Sequence, residues 1–531
     1  MNISTLYTHE QLLREVIPQL CFGRPLRRQY QSKAVRRLIK NVLTGQKLGR
    51  VRIGCGGGKT YIFILALAYL YATGAISKSV IVAPTIALTR QLENQFCGVF
   101  EKLFKLMREK HALKLSKPFT VVNVSSDTPQ PDEDELPDSN QYAGIERIVY
   151  IDRVDERRAE QLEILLKERD PAAYFVCLKS YKDKFVKCIH RTGVQIGVTV
   201  FDEFHNLISE EKYQTNDSIK ALKIAKAQSK SCWFFSASEK IGSVMQTNDV
   251  AMFGQELVTV YSSQLVRWGY LVPNINIDFV NTGSLSGVTE SMANYFEAHK
   301  VDAEKLYLEW NYIEHCLKEV VERGVTPRAV MFGGHVATML QLLKTPAFKE
   351  RIEQLFPGLK LYGIFGGEVV GCPEHAKNKS IKEQREAVFQ EVRTIDAPFL
   401  LFNHSVLKEG IDVTRFNTLL ISRGMNEIGI QQAFGRVQRL DDGKTHAHVF
   451  IMVQDEAGQR ISKKTAELIY AIQYTLGDIA VSISGLGDDR SGDTPDDRPA
   501  PINVEEINIP HLVVSTSTER FQPEKILKRF L

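Results

Sequence analysis

Short apolar runs that end abruptly in polar residues recur along the chain. Arg50–Ile53 runs into a cluster of glycines, Ser79–Ala83 into Pro84, Val198–Phe201 into Asp202, and Trp233–Phe235 into Ser236. The stretches between them carry helical spacing. Residues 24–43 predict a basic amphipathic helix, with Pro25 near its start and Ala34, Val35, Leu38 and Ile39 as its apolar stripe. Tyr61–Ser77 is uncharged but short for a membrane span, and Thr73 and Gly74 interrupt it. It predicts a helix buried on both sides. Buried strands alternating with helices predict an α/β fold with a doubly wound parallel sheet, whose sites lie at the carboxyl ends of its strands.

The pattern then restarts. Arg328–Phe332, Leu359–Ile364, Pro398–Phe402, Thr418–Ile421 and His448–Val453 predict a second α/β unit of similar size. The join is expected near Leu271–Pro273, with 283–326 mostly helical. The expected division is an extension over 1–23, a first domain over 24–272, a second over 273–455 and a C-terminal extension over 456–531. Ser125–Gln141 and Gly485–Pro501 are rich in acid and proline. They lack the apolar content that offsets ordering entropy, so the C-terminal extension is expected to be partly disordered.

With 531 residues, 44% hydrophobic and 24% charged, the chain is not a disordered, collagen-like or coiled-coil protein. The net charge of +4 is uninformative, but its distribution is not. Residues 1–50 hold ten lysines and arginines against two acids, whereas Asp455 onward holds thirteen acids against nine bases. A basic entry and an acidic tail fit a protein that meets a polyanion with one face, and equally fit a solvated helix face. The eight cysteines are scattered, none at Cys-x-x-Cys spacing. Reduced thiols in a reducing compartment are expected, with no structural zinc. The N-terminus has no signal-peptide h-region, so secretion is not expected.

Residues 53–60 read IGCGGGKT. The phosphate-loop pattern asks for glycine, four residues, then Gly-Lys-Thr. Gly58, Lys59 and Thr60 fit, but Ile53 stands where the first glycine belongs. Gly54, Gly56 and Gly57 still give the backbone freedom to turn its N–H groups inward. Lys59 would reach the β and γ phosphates, and the Thr60 hydroxyl would hold Mg²⁺. A nucleotide site then requires a carboxylate at the end of another buried strand. Asp202-Glu203-Phe204-His205 follows Val198–Phe201 directly. Asp202 would organise Mg²⁺ and Glu203 would deprotonate the attacking water. Neighbouring strand residues point opposite ways, so a tight bend after the strand is needed to aim both acids at one phosphate. His205 is close enough to relay between nucleotide and a neighbouring loop.

With these two elements the sequence resembles superfamily 2 helicases and translocases, whose second motif is DExH or DEAD and here reads DEFH. Arg28, Tyr30 and Gln31 look like the upstream adenine-reading motif. Pro84 and Thr85, with Gln91, resemble the motif that touches the nucleic-acid backbone. Ser236-Ala237-Ser238 resembles Ser-Ala-Thr, which couples hydrolysis to movement. In the second unit Phe332 and the residues after it look like motif IV. Glu409-Gly410-Ile411-Asp412 resembles the fifth motif of the nucleotide site. Gln432-Ala433-Phe434-Gly435-Arg436-Val437-Gln438-Arg439 matches Gln-x-x-Gly-Arg-x-x-Arg, with Gln431 as an alternative register. The resemblance covers about residues 24–455. It is nearest to the helicase parts of type I and type III restriction systems and related phage and viral helicases, on CLKSY (Cys177–Tyr181), Phe253-Gly254 and LVRWGYLVP (Leu265–Pro273).

The resemblance implies two tandem RecA-like domains and ATP with Mg²⁺ in a cleft between them. Arg436 and Arg439 would act as arginine fingers. The implied activity is that of an ATP-dependent DNA helicase or duplex translocase, in a cytoplasmic, nucleoid or nuclear-type compartment, with a viral or phage origin left open. The rivals are an RNA helicase, an ATP-driven switch or assembly subunit that unwinds nothing, and a non-motor P-loop kinase, which leaves the two arginines unexplained.

Overall fold

Among the described residues sixteen strands carry the architecture, eight in each of two sheets. The computed structural model describes residues 29–111, 119–125, 145–152, 156–208, 212–237, 245–281, 303–404, 413–423, 425, 427–453 and 481–484. Arg28, Ser238, Glu409, Gly410 and Asp412 lie outside the described residues, as do Gly485–Pro501 and most of Ser125–Gln141.

The first sheet comprises β1 (Leu48–Ile53), β2 (Lys78–Ala83), β3 (Phe119–Ser125), β4 (Ile145–Asp152), β5 (Ala172–Cys177), β6 (Ile196–Phe201), β7 (Ser229–Ser236) and β8 (Glu256–Val260). Its order is β4-β3-β5-β2-β6-β7-β1-β8, and every pairing is parallel. Strands β2, β5 and β6 are buried along their whole length, as continuous apolar runs covered by helices on both faces require. Helix α1 (Gln29–Leu43) seats Ala34, Val35, Leu38 and Ile39 in the core, as its stripe predicts. Helix α2 (Lys59–Ala72) is buried from Ile62 to Leu70 on all sides, which explains why its sequence shows no polar face. Helix α3 (Ile86–His111) follows β2.

The second sheet comprises β9 (Asn274–Asn281), β10 (Arg328–Phe332), β11 (Lys360–Ile364), β12 (Val369–Val370), β13 (Phe399–Asn403), β14 (Thr418–Ile421), β15 (His446–Val453) and β16 (Val481–Ser484). Its order is β12-β11-β13-β10-β14-β15-β9-β16, parallel except for the β11–β12 pair. The helix Ala303–Glu322 precedes β10, and 283–302 of the region expected to be helical lie outside the described residues. The chain divides into two compact units between Tyr261 and Ser262, and β16 belongs to the second. Each unit is a mostly parallel sheet flanked by helices with its own apolar core, so the tandem RecA-like architecture is present.

Seven cysteines, Cys55, Cys97, Cys177, Cys188, Cys232, Cys316 and Cys372, are free. Among the described residues no helix is long and apolar enough to cross a membrane.

Candidate active site

Strands β6, β7 and β1 are neighbours in the first sheet, and the chemistry collects at their carboxyl ends. The loop after β1 turns through Gly56 and Gly58, at φ 77° and 80°, a region costly for any residue with a Cβ. A Cβ at Gly58 would also strike the Gln31 amide. The Gly57 N–H donates to Gly54 O at 3.0 Å, so this group closes the loop rather than facing a ligand. The Gly57 carbonyl accepts from Tyr30 Oη at 2.6 Å and from Gln31 Nε2 at 3.0 Å. The adenine-reading candidate Gln31 therefore rests against the phosphate loop. Tyr30 shares that carbonyl.

Lys59 and Thr60 open α2, whose N-cap Gly58 supplies no side-chain acceptor. The N-terminus of a helix favours an anion. Lys59 Nζ lies 3.1 Å from Glu203 Oε1 and 3.4 Å from Ile53 O. Burial works against its charge, but Glu203, Cys55 and Asp202 outweigh that and hold its pKa above the ordinary lysine value.

The bend required after β6 is present. Glu203 sits at φ 46°, ψ 50°, the one left-handed non-glycine residue among the described residues. That conformation costs on the order of 1 kcal/mol. It swings the Glu203 carboxylate back toward Lys59. Burial would raise the Glu203 pKa, but Lys59 and His205 together hold it well below the carboxylate range, so the pair is ionised. Asp202 is buried, and its backbone N–H donates to Val82 O at 2.9 Å, pinning the β6 end to β2.

His205 is buried at the junction of two elements. Its Nδ1 lies 3.3 Å from Glu203 Oε2 and 2.9 Å from Ser236 Oγ, and its Nε2 lies 3.2 Å from Asn206 Nδ2. A proton on Nδ1 lets that nitrogen donate to the carboxylate or to the Ser236 hydroxyl oxygen, and lets Nε2 accept from the amide. Asn206 Nδ2 also donates to Glu203 O at 3.0 Å, bracing the strained turn. Glu203, His205 and Ser236 thus form one chain from the turn after β6 to the end of β7. Asn206 was not anticipated, although it directly follows DEFH.

Thr60 and Asp202 offer a hydroxyl and a carboxylate, hard oxygen ligands that suit Mg²⁺ with waters completing its shell. No cluster of three or more His, Cys, Asp or Glu side chains able to hold a metal occurs among the described residues.

The other candidates are placed as follows. Pro84 and Thr85 sit between β2 and α3; the Thr85 hydroxyl accepts from Leu88 N at 3.3 Å and caps that helix. Gln91 lies on α3, with its Oε1 buried and unbonded. In the second unit the helix Glu427–Val437 carries Gln431, Gln432 and Arg436. Gln431 and Arg436 are buried, and Gln432 is half-buried. Arg439 follows the helix and forms an antiparallel bridge with Leu271.

Residues 25–234 match the family model "Type III restriction enzyme, res subunit". A comparison with curated protein sequences finds no match. Among solved structures, the ATP-dependent Type ISP restriction-modification enzyme LlaBIII bound to DNA aligns with a TM-score of 0.61 at 12% identity, over 88% of this chain and 31% of that one. A nuclease-deletion mutant of the Type ISP enzyme LlaGI, in complex with a DNA substrate mimic, aligns at 0.50 and 12% identity, over 86% and 30%. The Mycobacterium smegmatis helicase Lhr, bound to ssDNA and AMP-PNP, aligns at 0.51 and 13% identity, over 91% and 51%. At such identities the likeness is one of fold. The chain spans about a third of the two restriction enzymes. The resemblance to superfamily 2 helicases, and to the helicase parts of restriction enzymes, is supported by the family match and the shared fold.

Proposed function

We propose that this chain is an ATP-driven motor on DNA, a helicase or duplex translocase that couples hydrolysis at the β1–β6–β7 edge to movement along nucleic acid. The observation that carries the reading is the Lys59–Glu203–His205–Ser236 chain, which joins a phosphate-loop cation to a candidate base and then to a second strand end.

In this reading α2 and Lys59 hold the triphosphate. Lys59 exchanges Glu203 for phosphate oxygens when ATP arrives. Glu203, freed from the ammonium, accepts a proton from the attacking water. Thr60 and Asp202 would hold Mg²⁺, which supplies charge neutralisation on the phosphates. Arg436 and Arg439 of the second unit serve the same transfer, since a planar guanidinium matches the charge spread over a phosphoryl group in flight. His205 and Ser236 report the state of Glu203 to the segment after β7. Tyr30 and Gln31 set the phosphate loop, and the Gln31 amide reads adenine once released. The unmatched roles of Arg28, Ser238, Glu409, Gly410 and Asp412 follow the family motifs. Pro84, Thr85 and Gln91 face nucleic acid, with phosphate contacts making binding sequence-tolerant and salt-sensitive.

DNA is favoured over RNA by the restriction-enzyme family match, and other subunits of a multi-protein complex are further candidate partners. The test is ATP hydrolysis measured with single-stranded DNA, duplex DNA and RNA in parallel, with Lys59→Ala as control. Stimulation by DNA supports the reading. Stimulation by RNA alone replaces it with an RNA helicase, and hydrolysis indifferent to all three replaces it with a switch.

A further inference from the structure

Lys444 lies outside every motif, in the turn between the arginine block and β15, yet its ammonium gathers three backbone carbonyls from two separated segments. Nζ donates to Arg439 O at 2.8 Å, to Thr414 O at 3.1 Å and to Phe416 O. Three donors on one tetrahedral nitrogen can fan onto three carbonyls. A planar guanidinium cannot reproduce that fan, and an apolar side chain offers it no donors. One carbonyl belongs to Arg439. The other two belong to the stretch that begins two residues after Asp412. The same turn is tied twice more: Lys444 N donates to Asp441 O at 3.1 Å, and Thr414 Oγ1 donates to Asp441 Oδ1 at 3.2 Å.

Arg439 is held on its other side as well. Leu271 bridges it, and Val272 N donates to Gln438 O at 2.8 Å. Val272 packs in the same apolar cluster as Val413, Phe416, Phe434 and Val437. The backbone at Arg439 is therefore clamped between Leu271–Val272, just ahead of β9, and the segment that follows the fifth motif.

We infer that Lys444 is a positioning residue for Arg439, holding its backbone in register with the 413–417 segment so that the guanidinium and that segment move as one piece. The inference rests on the proposed role of Arg439 in phosphoryl transfer. Burial lowers the Lys444 pKa to about 7, Arg439 and Arg328 add to the effect, and Asp441 opposes it. The three accepting carbonyls favour the charged form and work against that loss.

The test is steady-state ATP hydrolysis with saturating nucleic acid, for wild type, Lys444→Met, Lys444→Gln, Arg439→Lys and the double variants. The expected result for Lys444→Met is a kcat about tenfold lower, with the KM for ATP changed by less than about threefold, because a group acting only in the transition state leaves ground-state binding alone. Lys444→Gln, which keeps two donors, recovers part of the loss. In the Arg439→Lys background Lys444→Met removes little more, since both act through one guanidinium. If Lys444→Met does not melt cooperatively, the Lys444→Gln pair carries the same comparison. Turnover of Lys444→Met within about twofold of wild type, or losses that multiply fully in the double variant, overturns the inference. Arg439→Lys turning over at the wild-type rate instead removes the role proposed for Arg439 itself.

Discussion

Lys59 Nζ and Glu203 Oε1 stand 3.1 Å apart, so the cation proposed for phosphate and the base proposed for water neutralise each other. Under the proposed function, ATP must separate them. Glu203→Gln removes the competing charge as well as the base. Hydrolysis is expected to fall by roughly 10²–10⁴-fold, while nucleotide affinity stays equal or tightens a few-fold. Phosphate release and binding of a fluorescent ATP analogue check the two halves separately. Near-normal hydrolysis would mean the base lies elsewhere.

His205 connects Glu203 to Ser236 through one nitrogen. His205→Ala is expected to leave ATP binding within about threefold of wild type while cutting nucleic-acid-stimulated turnover by roughly tenfold or more, because the relay is broken and the pocket is not. Ser236→Ala should do the same more mildly. Equal loss of ATP binding in both variants would make the chain a structural prop for the phosphate loop.

Tyr30 Oη gives Gly57 O its shorter hydrogen bond. Tyr30→Phe deletes one oxygen and keeps the ring. A weakening of ATP binding by about three- to tenfold is expected, in line with about 1 kcal/mol for one such bond. Isothermal titration measures it, and unchanged affinity would show that Gln31 alone sets the loop.

Much of this was legible in the sequence, for physical reasons that also mark its limits. Strands buried on both faces, such as Lys78–Ala83 and Ile196–Phe201, advertise themselves as unbroken apolar runs. Asn274–Asn281 does not, because it alternates polar and apolar residues, and it lies between β15 and β16. Ile145–Asp152 is an edge strand whose Glu146 and Arg147 are exposed, so it offers no unbroken apolar run. The site divides in the same way. Lys59, Asp202, Glu203 and Ser236 stand at strand ends, where chemistry is expected. Tyr30 is legible only as part of the adenine-reading motif, and Lys444 not at all, because the partners of both are backbone carbonyls, which leave no trace in side-chain identity.

His448 makes the second unit acid-sensitive. Burial pulls its imidazole from 6.5 down to about 4, Arg323 and His446 add to the effect, and Asp278 offsets only part of it. The unfolded chain therefore binds a proton that the folded chain refuses. This stability is fully present above about pH 6.5 and is lost progressively toward pH 4, by at most on the order of 3 kcal/mol. His448→Asn is expected to flatten the melting temperature over that window. A variant that keeps the wild-type slope would assign the sensitivity to another group.

The central claim is that the arginine block serves the same reaction as the phosphate loop. Arg436→Ala tests it most directly, by hydrolysis of ATP at saturating nucleic acid alongside binding of a non-hydrolysable analogue. The expected result is turnover lower by about 10²-fold or more with analogue affinity within a few-fold, as for a group that acts on charge developing in transit. Hydrolysis by Arg436→Ala at the wild-type rate would contradict it.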